Sequence, residues 1–244
     1  MQQMTDTTAF FYTFLLAVVS SLFMVFWFDL GVIRSMIYAH VGLGSLAFVV
    51  GGVTLFSKKG SSLHKQSGKV FYFSMVVSVA ISWLVSVLPG HFSPTMFHIA
   101  VLTLYFLIGG KRSILFKQPN HSLKWDKFLA LFVVVTSVAI MAYTFFVEGR
   151  VHPLRTVFGT IGLVFGCLDL WMFRDATKVR RKWLFLHLSK MLGGYTGAVT
   201  AFFVAQNILS GYYNWFAPTV AGVSYIIFWA IKMKTFRPIA ATSS

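Results

Sequence analysis

Four histidines fall within or beside long apolar stretches: His40, His64, His98 and His187. Imidazole is a common ligand for transition metals and haem iron. Two such rings at matched depth on different helices are what axial ligation of a haem requires. Depth follows from a rise of about 1.5 Å per residue. His40 and His98 each fall about one turn inside the outer ends of their spans. His64 comes just before a span on the inner side, and His187 lies about one turn into another. The expectation is two pairs, His40 with His98 and His64 with His187, ligating haem b. The plainer reading gives each ring a hydrogen bond to a neighbour at the headgroup boundary. His91, His121 and His152 fall in loops, and His91 is close enough to the outer pair to be a spare.

The second group of chemistry-bearing residues is Asp169, Lys190 and Tyr195. Ionisable groups inside a membrane segment are expensive, and they usually face a bundle interior or a water-filled cavity. Asp169 and Lys190 are expected to form a buried ion pair, which lets both charges exist there. The functional alternatives are a proton-relay pair, or a zinc or iron site in which Asp169 completes a set with His64 and His187. Tyr195 lies two turns beyond His187 on a similar face, so it could hydrogen-bond a quinone or other small molecule. No nucleotide-binding loop, nucleophile elbow or zinc-protease helix is present.

The elements that must position these residues are membrane spans. The chain is 57% hydrophobic and 11% charged, with a mean hydropathy of +0.75. A water-soluble surface of this size needs far more charge. About 20 apolar residues cross the hydrocarbon core. Eight stretches qualify, near 8–29, 36–57, 68–89, 94–116, 126–148, 154–174, 183–208 and 213–234. Lipid demands internal satisfaction of backbone polar groups, so each is expected to be a helix. The fold class is all-α: a single polytopic membrane domain over residues 1–244. Met1 to Thr8 carries no basic residue, so the first stretch is expected to be a retained span. Cys167 is the sole cysteine, which excludes an internal disulfide and a cysteine metal cluster.

Charge then sets orientation. Four groups hold 17 of the 21 basic residues: Lys58 to Lys69, Lys111 to Lys127, Arg174 to Lys182, and Lys232 to Arg237. These groups follow the second, fourth, sixth and eighth spans. Basic loops stay cytoplasmic, so both termini are expected inside, with a bacterial cytoplasmic membrane as the setting. The net charge of +15 is explained by topology, and nucleic acid is not an expected partner. A faint repeat also suggests two parallel four-helix halves. Glycine-bearing second helices are followed by basic loops and then by Leu63-His64 or Leu186-His187.

The run His40-x-Gly-x-Gly-x-x-Ala-x-x-x-Gly-Gly, a basic loop, then His64-x-x-x-Gly68-Lys-Val-Phe-Tyr resembles a bacterial multi-span family known as domain of unknown function 2306. His187-x-x-x-Met191-x-x-x-Tyr195 looks like that family's late histidine helix. Lys65 stands where the family usually has Arg, and Lys190 where it usually has Trp. The placement of His40 and His98, and of His64, is also similar to that in two-haem b-type transmembrane cytochromes of the ascorbate-reducing kind. That likeness implies a membrane redox protein. A proton-coupled transporter built on Asp169 and Lys190, a membrane metalloenzyme, and a scaffold without a site are the alternatives.

Overall fold

In a computed structural model, residues 30–235 are described. They form seven α-helices: α1 (Leu30–Phe56), α2 (Ser62–Val85), α3 (Pro94–Arg112), α4 (Lys124–Phe146), α5 (Pro153–Met172), α6 (Ala176–Gln206) and α7 (Tyr213–Thr235). A short 3-10 turn, Ser113–Lys117, extends α3. No strand occurs among the described residues. The expected first span, 8–29, lies outside them.

Six of the seven helices are long and apolar enough to cross a membrane. The exception is α6, which had been expected to be a span. It is 31 residues long, but it opens with Lys178, Arg180, Arg181 and Lys182 and then carries His187, Lys190 and Tyr195. Polar groups dilute its hydropathy, so its place in the bundle comes from partners and not from partitioning alone.

Capping explains most boundary differences. The third span was expected to begin near residue 68, but α2 starts at Ser62. Ser61 is the cap, and its Oγ accepts from the His64 amide at 3.2 Å. His64 is therefore in the first turn of a helix, not in the loop before it. Ser93 and Pro94 start α3 in the same way, with Ser93 Oγ accepting from the Met96 amide at 3.4 Å. Asp175 Oδ1 caps α6 by accepting from the Thr177 and Lys178 amides at 2.9 and 3.1 Å.

Two apolar clusters share α3 and α6. One joins Leu102, Phe106, Val133, Phe158 and Leu186; the other joins Ala47, Phe71, Met75, Leu107 and Ala198. The outward faces are also apolar. Val49, Val53 and Phe56 on α1, Phe128, Leu131 and Val135 on α4, and Val220 and Ile227 on α7 are exposed. Such stripes suit lipid, not water. The suggested parallel halves are not reflected in the packing. Helix α1 lies along α2, whereas their would-be counterparts α5 and α6 barely touch.

Close approach fixes how α3 meets α6. A Cβ added at Gly110 would lie 2.8 Å from Met191 Sδ and 3.1 Å from the Met191 backbone nitrogen. Only a residue without a side chain allows that contact.

Candidate functional site

Helix ends prepare two of the histidines. The last four carbonyls of an α-helix lack intrahelical donors. Thr54 is in the last turn of α1, and its carbonyl accepts from His64 Nδ1 at 3.1 Å. Gly110 is in the last turn of α3, and its carbonyl accepts from His187 Nδ1 at 2.8 Å. A carbonyl can only accept, so Nδ1 carries the proton in each ring and Nε2 keeps its lone pair. Neither Nε2 has a hydrogen-bond partner among the described residues. This is how a protein orients an imidazole intended for a metal: one nitrogen is held by a backbone carbonyl and the other is left free.

Both rings line one cavity of about 430 Å³ at the basic end of the bundle. Lys59, Lys65, Lys69, Lys111 and Lys117 line it too, with aromatic walls from Tyr72, Trp183 and Tyr195. None of these five lysines has an acidic partner among the described residues. Lys117 Nζ stacks 3.9 Å from the Trp183 ring centre. Partial burial lowers the Lys59 ammonium pKa below the ordinary lysine value. The site is therefore cationic, largely apolar and large enough for a drug-sized or cofactor-sized anion.

The outer pair does not assemble. His40 Nδ1 donates to the Ser78 carbonyl at 2.9 Å, and Ser78 Oγ donates back to the His40 carbonyl at 2.9 Å. His98 is only 1% exposed, and its Nε2 points instead to the Phe158 carbonyl on α5 at 3.4 Å. It does not line the cavity that His40 borders. The two residues sit on faces turned to different helices, His40 to α2 and His98 to α5.

The three-ligand metal site is not assembled either. Among the described residues, no group of three or more His, Cys, Asp or Glu side chains could hold a metal ion. Asp169 is committed elsewhere. Its Oδ2 accepts from Tyr105 Oη at 2.6 Å and from Lys190 Nζ, and Lys190 Nζ also donates to Tyr105 Oη at 2.8 Å. All three residues are buried. The Lys190 ammonium sits 4.0 Å from the Tyr105 ring centre, a further source of stabilisation. Asp169 and Lys190 line neither of these two cavities, and with Tyr105 the pair ties α3, α5 and α6 together. Tyr195, by contrast, lines the basic cavity, packed so tightly against α1 that a Cβ at Gly51 would lie 2.5 Å from its ring.

Three polar features were not foreseen in the sequence. Tyr105 completes the buried pair. Arg112 grips Asp126 through two bonds of 2.8 and 2.9 Å, joined by His121 at 3.2 Å. Arg155 joins Thr95 on α3, at 2.8 Å, to Glu148 in the loop before α5, at 2.5 Å. Arg112 and Asp126 both lie in segments dense with charge, which hid their pairing.

Apolar helices with lipid-type faces, a polar seam and two cavities define the class: an all-α protein of membrane-spanning type with internal cavities. Comparisons with protein-family models, curated proteins and solved structures return no match.

Proposed function

We propose that this protein binds haem b in the basic cavity through His64 and His187, and serves as an electron carrier of the cytoplasmic membrane. One observation carries the reading: two imidazoles from different helices line the same cavity, each with Nδ1 tied to a helix-end carbonyl and Nε2 without a hydrogen-bond partner among the described residues. Haem is flat and apolar with two carboxylates, which suits aromatic walls and five lysines without an acidic partner among the described residues. Bound haem would supply one-electron chemistry at its iron.

The chain's own residues do the rest. Thr54 and Gly110 hold both rings in the tautomer that ligates. The lysines would neutralise acidic substituents of the bound group. Tyr195, Phe71 and Met191 wall the cavity with apolar surface. Lowered polarity there strengthens charge interactions.

The test is optical. Detergent-purified protein, produced with ample haem supply, should show a reduced-minus-oxidised b-type spectrum with about one haem per chain, as one histidine pair requires. His64→Ala and His187→Ala should each lose it, whereas His98→Ala should retain it. Protein that is colourless and takes up no added haemin would overturn the reading.

A further inference from the structure

The second cavity lies towards the other end of the bundle and has the opposite character. It measures about 400 Å³ and is lined from α1, α2, α3, α5, α6 and α7. No Asp, Glu, Lys or Arg lines it. Its walls are largely rings and small side chains, among them Phe48, Phe106, Phe165 and Trp215. Val41, Met96 and Phe202 line it while also being exposed, so it opens to the exterior of the bundle. A charged ligand would find no counter-ion there, and a purely aliphatic one would leave polar groups unanswered, His40 and Thr200 among them.

Those two groups are on facing helices. His40 Nδ1 is bound to the Ser78 carbonyl, which leaves Nε2 as an acceptor. Thr200 is 4% exposed, and its Oγ1 is buried with no partner among the described residues. A helical threonine normally turns its hydroxyl back to its own helix, as Thr103 and Thr196 in this cavity do. Thr200 does not. One acceptor and one hydroxyl, in a neutral and ring-lined space, call for a ligand carrying a hydroxyl and a second oxygen on a flat apolar frame.

We propose that this cavity is a binding site for a lipid-soluble quinol, held through His40 Nε2 and Thr200 Oγ1. The quinol hydroxyl donates to His40, and a quinol oxygen accepts from Thr200. This is a binding site distinct from the histidine pair of the basic cavity, and it stands whether or not haem is present there.

The test uses the full chain in detergent, titrated with decylubiquinol and followed by quenching of tryptophan fluorescence, since Trp215 lines the cavity. Saturable quenching is expected, about tenfold weaker in Thr200→Val and in His40→Phe, with Thr136→Val on α4 unchanged. Melting profiles taken on the same samples identify any variant that has failed to fold. His40→Gln, which keeps a hydrogen-bonding side chain, should recover part of the affinity. Absence of saturation in the wild-type protein would overturn the proposal. So would equal binding by folded Thr200→Val and His40→Phe, or full displacement by decanol at matched concentration, which would reveal a groove for alkyl chains only. The optical spectrum of the same preparation reports the haem reading separately.

Discussion

Asp169, Lys190 and Tyr105 show what a residue-level reading can and cannot reach. Removing one partner of a buried ion pair strands the other charge. Asp169→Asn should therefore destabilise the protein by about 3–5 kcal/mol, measured by denaturant unfolding in detergent micelles. A triple variant, Tyr105→Phe with Asp169→Leu and Lys190→Met, should recover most of that loss, because no buried polar group is left unanswered. The ion pair was legible because Asp169 and Lys190 stand in stretches otherwise free of charge. Tyr105 was not, since one more aromatic in an apolar run gives no sign of a hydroxyl contact. The His40–His98 expectation shows a different limit. Counting residues fixes height along a helix but not rotation about its axis. His98 is turned to the Phe158 carbonyl on α5 rather than to the cavity that His40 borders.

Among the elements, the junction of α3 and α6 controls both stability and the proposed site. The Gly110 carbonyl orients His187, and the missing side chain of the same residue lets Met191 approach. Gly110→Ala should cost about 1–3 kcal/mol through overpacking, with lowered haem occupancy as a second readout. Ser61→Ala should cost about 1 kcal/mol by uncapping α2, and should loosen His64 in the first turn. The positions of the helices were legible from hydropathy, and their ends were displaced by caps such as Ser61 and Asp175. Helix α6 is absent from the helices apolar enough to span by composition alone, and its buried Lys190 is partnered by Tyr105 on α3 and Asp169 on α5.

For the whole molecule, the proposed cytoplasmic placement of the basic loops predicts that the basic cavity faces the cytoplasm. In a Cys167→Ser background, Lys58→Cys should react with an impermeant thiol reagent only from the cytoplasmic side, and His91→Cys only from the other. Acid should weaken the end of the bundle that holds Glu148. The hydrogen bond from Arg155, followed by the charges of Arg155 and Arg150, holds the Glu148 carboxyl below the ordinary glutamate range. A carboxyl with a depressed folded-state pKa contributes stability that is present above its unfolded value and lost as pH falls through the folded one. Unfolding midpoints should therefore decline on acidification below the ordinary glutamate range, and the decline should be shallower in Glu148→Gln.

The polar composition of α6 also bears on how the chain is made. A lysine at the centre of a lone helix adds about 2.5–3.5 kcal/mol to the cost of entering a bilayer from the translocon. During synthesis α3 and α5 emerge first, carrying Tyr105 and Asp169, while Lys190 arrives later. The nascent chain must thus keep its earlier helices beside the exit gate until α6 can join them. A ribosome stalled before residue 190 would leave the carboxylate of Asp169 without its cation, a marked target for membrane quality-control proteases.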